Sequence, residues 1–247
     1  MFQKLKASLG IGAAKVDTVL ESSSILQGGV LKGNIHIAGG DVEQQIDAIN
    51  LKLCTEVKIE NDNGVSYQQF VLDQIQALEP FLINANESKQ LPFELKLNDE
   101  TPVTALNTRK NQCRVWLETV LDIDFALDPK DRDLLQVRPL PVVEKVIAAI
   151  EQGGFSMVKA DVEKGYLRGG NFSSKSGCYQ EIEFKNSGLL SSKEIELSFI
   201  LEGGMVHCLA EVDRRFGLRG DQYRSFTLHR DADEKEATAA VQSILTL

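Results

Sequence analysis

CRVWLETVLDIDFALDPKDRDLLQVRPLP, residues 113–141, is the stretch from which the fold is read. Its first half alternates. Cys113, Val115, Leu117, Thr119, Leu121, Ile123, Phe125 and Leu127 share one parity, and Arg114, Glu118, Asp122 and Asp124 fall on the other. Successive side chains of a strand point to opposite faces, so this period of two predicts a long strand with one buried and one wet face. The second half is charged and then punctuated by Pro139 and Pro141, which restrict the residues before them. Residues 128–141 are therefore expected to connect two β domains, 1–127 and 142–247.

Working outward, the same alternation recurs on both sides. Leu31, Gly33, Ile35 and Ile37 predict one strand, and Ile49, Leu51, Leu53, Val57 and Ile59 predict a longer one. Asn61-Asp62-Asn63-Gly64 is a hairpin turn, because Asn and Gly tolerate positive φ. The return strand, residues 65–75, has a mixed pattern that fits an edge position or cover on both faces. Phe93, Leu95 and Leu97 mark another strand. Beyond the connector, Val142, Val143, Val146, Ile147 and Ile150 form a helical stripe stopped by Gly153-Gly154. Strands follow around 182–184, 195–201, 206–212 and 226–228, and a terminal helix at 233–247 begins with acidic residues. Short strands divided by turns favour sandwiches over a parallel α/β sheet, and the like layout of the two halves suggests two in tandem.

The bulk composition narrows the function. The 247 residues carry a net charge of −9, and neither half is basic, so no binding to nucleic acid is expected. No run approaches the roughly 20 apolar residues of a membrane span, and residues 1–20 lack the apolar core of a secretory signal. Cys54, Cys113, Cys178 and Cys208 have no metal-type spacing and read as reduced thiols, which points to the cytoplasm. Residues 3–9 fit a short helix docked on its own domain.

Six segments carry a resemblance: GIGAAKVDT (10–18), IAGGDVEQQIDAI (37–49), LPFEL (91–95), TVLDIDFALDPKDRDLLQVRPLP (119–141), QEIEF (180–184) and EVDRR (211–215). With them the chain resembles the bacterial sporulation-control protein family, whose members are arrestin-like. The resemblance implies an all-β fold of two tandem arrestin-like, immunoglobulin-like β-sandwich domains with short peripheral helices. It also implies a regulatory or scaffolding role without catalysis. No catalytic residue, cofactor or metal is carried over from the family pattern.

Each candidate site has a plainer reading. Asp122, Asp124, Asp128, Asp131 and Asp133 are dense enough to suggest Ca²⁺, but Pro129 interrupts them and no loop glycine is present. An interdomain charge network with Lys130, Arg132 and Arg138, or a solvated turn, is the preferred reading. Glu211, Asp213, Arg214 and Arg215 offer opposed charges at a strand end, and arrestin-like proteins can lock two domains with buried ion pairs. Trp116, the only tryptophan, lies on the polar parity of its strand. It reads either as an exposed anchor for a partner or as a residue covered by the N-terminal helix or the other domain. The segment GIGAAK (10–15) lacks the Ser or Thr after its lysine and is no P-loop. His36, His207 and His229 are unpaired surface residues by pattern, and Ser173, Ser174 and Ser176 form no nucleophile elbow. The expectation is a non-enzymatic cytoplasmic protein that binds protein partners through edge strands and interdomain grooves. Exposed edges permit a homodimer without requiring one. The alternatives are a Ca²⁺- or small-ligand-binding β module and, further off, a hydrolase using paired carboxylates.

Overall fold

The computed structural model describes residues 12–62, 64–124, 126–186, 193–214 and 222–247. The expected helix at 3–9, the segment 10–11, Phe125 and Arg215 lie outside them, as does the side chain of Arg214. The first half of the chain contributes β1 (Lys15–Leu20), β2 (Ser24–Leu26), β3 (Val30–Ala38), β4 (Gln44–Asn61) and β5 (Gly64–Leu78). It continues with β6 (Phe81–Ile83), β7 (Ser88–Lys96), β8 (Lys110–Asn111), β9 (Val115–Ile123) and β10 (Lys130–Arg138). The second half opens with α1 (Pro141–Gln152) and continues with β11 (Ser156–Lys164), β12 (Arg168–Gly169), β13 (Phe172–Ser173) and β14 (Cys178–Lys185). It closes with β15 (Lys193–Glu202), β16 (Met205–Arg214), β17 (Gln222–His229) and α2 (Glu234–Leu245).

These strands form a three-stranded sheet, β1-β3-β7, and a long sheet ordered β17-β16-β15-β14-β11-β4-β9-β10-β2, with β5 and β6 on the free side of β4. β1 packs over β9 and β10, so in the first half the small sheet lies against the long one. Within the small sheet β1 and β3 run so close that a Cβ on Gly33 would stand 2.6 Å from the Val19 carbonyl oxygen. One large buried cluster runs from Ala14 through Leu51, Leu117 and Val162 to Ile244, and a smaller one gathers Leu140, Val142, Val143, Val206 and Ala232.

The opening segment forms a strand, with two corrections. From Val115 to Leu121 β9 has no wet face, since Trp116, Glu118 and Val120 are buried along with the inward residues, and only Asp122 near its end is exposed. It is a central strand between β4 and β10, and the side chains of its neighbours close over it. It also ends early. The amide of Ala126 bonds back to the Ile123 carbonyl (3.2 Å), and Asp128 accepts from the Ile123 amide (3.3 Å). Leu127, expected inside, is 66 % exposed.

Residues 130–138, expected within the connector, are strand β10, antiparallel to β9 and parallel to β2. The two prolines mark the boundary that follows. Pro141 occupies the first turn of α1, where a missing N–H costs nothing, and Gly154 lets the chain leave the helix at φ +88°. Val142, Val143, Val146 and Ile150 bury one face of α1. α2 starts from a reciprocal cap: Asp233 accepts from the Glu236 amide (2.8 Å), and Glu236 accepts from the Asp233 amide (2.9 Å). Its residues Ala237, Val241 and Ile244 are buried where it packs on α1.

Candidate functional site

The two halves meet on β11. β4 has 18 residues, and its pairing with β9 ends at Thr55. Its last turns run on with β5 and reach β11 in a parallel pair, Lys58 opposite Glu163. β8 joins the same strand, with Lys110 and Asn111 opposite Lys159 and Ala160. Alternation puts Lys58 and Glu60 on one face of β4, and Lys159, Asp161 and Glu163 on the adjoining face of β11. The result is a charge cluster at the seam.

Lys58, with 13 % of its side chain exposed, places its ammonium 2.9 Å from Glu163 and 3.8 Å from Asp161, and it also pairs with Glu60. Asp161 is 2 % exposed and meets Lys159 at 2.5 Å. Burial alone would lower the Lys58 pKa, but the carboxylates of Glu60, Glu163 and Asp161 outweigh it and raise it. Glu181 stands directly opposite Asp161 on β14. Burial pushes the Glu181 carboxyl up to about 8, reinforced by Glu196, Glu163 and Asp161 and opposed by Lys58. The row continues across the sheet, with Glu183 opposite Glu196 and Glu196 opposite Glu211. Burial, then Glu211 and Glu183, raise Glu196 as well. Among the described residues, the carboxylates that converge closely enough to share a cation are Asp161, Glu163 and Glu181. The cations they meet are the ammonium groups of Lys58 and Lys159.

Two further ties cross the seam. The Gln180 side chain accepts from the Val103 amide (2.9 Å) and donates to the Val103 carbonyl (2.7 Å), so it acts as one more rung of backbone. The same amide nitrogen donates to Cys113 Sγ at 2.9 Å. The Glu100 carboxylate accepts from the amides of Lys175 (2.7 Å) and Ser176 (2.8 Å). Beside that contact lies a cleft of about 580 Å³ between Leu72, Asp73 and residues 96–100 on one side and residues 173–176 and 200–203 on the other.

The sequence matches the model of the SpoOM protein family over residues 2–216. The chain belongs to the Spo0M family. The sporulation-control protein spo0M of Bacillus subtilis (strain 168) is 36 % identical over 223 residues, which cover 89 % of this chain and 83 % of that protein. The crystal structure of Spo0M from Bacillus subtilis superposes with a TM-score of 0.81 at 29 % identity, covering 96 % of this chain and 99 % of that one. The family resemblance read from the six segments and the β-rich fold class are both borne out.

In this Spo0M-family chain the expected site residues do not gather in one place. Asp122, Asp124 and Asp128 are exposed at the end of β9 and the turn after it. Asp131 faces β1, where it accepts from the Thr18 amide at 2.6 Å. Asp133 lies on the same side, and burial, with Asp131 and Asp17 nearby, pushes it up to about 6. Arg138 is exposed, and its carbonyl accepts from the Gln27 amide (3.0 Å). Glu211 accepts from the Tyr223 hydroxyl (2.9 Å), and Asp213 is exposed. Among the described residues none of these carboxylates is held in an ion pair.

Trp116 is 2 % exposed, not an open ring on a wet face. The Arg132 guanidinium lies 4.3 Å over it, and Cys54 stands opposite it on β4. All four cysteines are free and buried. Burial pushes the thiols of Cys54 and Cys178 up to about 11 and that of Cys113 to about 12.

The seam residues Lys58, Asp161, Glu163, Glu181, Gln180 and Glu100 were not singled out from sequence. By alternation Lys58 and Glu181 fall on the outward parity of their strands. No one-dimensional pattern says that two outward faces join.

Proposed function

We propose that this chain is a regulatory protein without catalysis, which acts in the cytoplasm by binding protein partners. In this reading residues 1–127 and 142–247 are two arrestin-like domains, and partner binding changes how they sit on each other. The observation that carries it is the seam. Where β4 and β8 meet β11, the two halves share a cluster with more carboxylates than ammonium groups. Such a cluster is costly to break on one side only, which suits a two-position contact. Family membership supports the regulatory part, since the Bacillus relative is named for sporulation control. That name does not fix the process in which this chain works.

The test is affinity purification of the tagged chain from its native cells with mass spectrometry, run beside a Lys58→Met variant. A stoichiometric partner whose retention changes in the variant is the expected result. A bait that brings down no reproducible partner under several growth conditions would overturn the reading.

A further inference from the structure

We propose that the free edge of β5, at residues 65–71, takes an extended segment of a partner protein as an added strand, with a lysine or arginine of that segment entering the cleft beside Asp73. The proposal rests on the partner-binding reading above and names its surface.

β5 pairs with β4 from Gly64 to Leu78. Among the described residues no strand pairs with the other edge, which presents a row of backbone donors and acceptors. Soluble proteins guard such edges with charge, proline or brevity. β7, the outer strand of the small sheet, carries Pro92 with Lys89, Glu94 and Lys96. β5 is 15 residues long and carries a single charge, Asp73. Its register is unbroken from Gly64 opposite Asn61 to Val71 opposite Cys54, a template longer than a typical strand of about 5–6 residues. Val65, Tyr67 and Val71 share one parity and are 56 %, 41 % and 43 % exposed, a row ready for cross-strand contacts.

The register then shifts at Leu72, and Leu72 and Asp73 form a wall of the cleft between the halves. That cleft is acidic. Asp73, Asp99, Glu100 and Glu202 stand against Lys96 and Lys175. Lys96 is paired with Asp99 (3.5 Å), Lys175 with Glu202, and Glu100 with backbone amides. Asp73 accepts only from the amide of its neighbour Gln74 (2.8 Å) and has no cationic partner among the described residues. A basic side chain at the end of an added strand supplies one. A second copy of β5 does not, because it contains no lysine or arginine.

The test uses a synthetic peptide of about ten residues, alternating threonine and valine with lysine at one end, and a twin with glutamate in place of the lysine. Amide hydrogen exchange of the full chain is followed with each. Expected are slowed exchange confined to residues 64–73, binding about fivefold tighter for the lysine peptide, and loss of that preference in Asp73→Ala. Unchanged exchange under saturating peptide would overturn the proposal. So would protection of 65–71 that grows with the concentration of the chain alone, which would assign the edge to a second copy. Native partners retained by Val65→Lys/Tyr67→Lys would remove the edge assignment while leaving the partner-binding reading intact.

Discussion

Lys58→Met isolates the seam. Methionine keeps most of the apolar stem that lysine packs along β4 and deletes only the ammonium. Breaking one side of a buried ion pair typically costs about 3–5 kcal/mol, because the remaining charge is stranded. Two features reduce that here. Asp161 keeps Lys159 at 2.5 Å, and Glu60, with 62 % of its side chain exposed, returns to water. Glu163 is only 20 % exposed and loses its 2.9 Å partner, while Asp161 and Glu163 are left to repel one another. The expected loss is therefore about 2–3 kcal/mol. At about 2–4 °C per kcal/mol for a chain of this size, the melting point should fall by about 4–12 °C. The assay is urea denaturation followed by circular dichroism near neutral pH, with melting curves beside it. Adding Glu163→Gln should recover about 1 kcal/mol, since it removes the stranded charge. A loss below about 0.5 kcal/mol, or a double variant that is worse than Lys58→Met alone, would refute the claim that the ammonium is held by this cluster.

The remaining predictions concern the same seam and the thiols. Glu181 has a folded pKa near 8 against an ordinary value of 4.5, so the folded chain keeps a proton that the unfolded chain has already lost. Stability should fall as pH rises from about 5 through about 8, with Asp133, Glu194 and Glu196 acting in the same direction. Glu181→Gln should flatten part of that slope and be more stable than the parent near pH 8 by about 1–2 kcal/mol after allowance for solvent screening; an unchanged slope in pH-dependent denaturation would contradict this. Gln180→Leu removes both bonds to Val103 and should cost about 2–3 kcal/mol, with faster amide exchange at residue 103 as its local signature. At neutral pH an aromatic disulfide reagent should find the four cysteines unreactive in the folded chain and titrate all of them in urea, because buried thiols with raised pKa values hold almost no thiolate. A fast-reacting thiol in the native chain would contradict their burial.

The alternation at Leu31–Ile37, Ile49–Ile59 and Val206–Val212 was legible because inward positions there are apolar, and all three became strands. β10 was missed because its period of two is written in charges. Asp131 and Asp133 lie on the same parity as buried Leu135 and Val137, while Leu134 on the other parity is 66 % exposed. A hydropathy pattern reads that strand as a polar connector. It pairs as a strand because the inward Asp131 accepts from the Thr18 amide and Thr119 bonds Thr18 through their hydroxyls at 2.7 Å, which satisfies these polar groups on the strand opposite. The mixed pattern of β5 was the more informative ambiguity, since it reported an edge that few neighbours cover.

The seam could not be read for a different reason. Sequence alternation assigns a side chain to a face, and burial then follows only if one knows what that face meets. Lys58 lies on the outward face of its sheet segment, as its pattern says, and is still mostly buried, because β11 continues the same sheet with a face of its own carboxylates. In the proposed reading, the charge balance there is what lets the contact take two positions. Two ammonium groups meet Glu60, Asp161 and Glu163, and Glu181 sits beside them with its proton held up to about pH 8. Pulling the halves apart would release Glu181 to ionise in water, which offsets part of the cost of separating Lys58 from Glu163. A seam built from leucines would be more stable and would offer no such compensation. Under the proposed function, an ammonium shared among surplus carboxylates is the feature through which a bound partner would shift the contact between the halves.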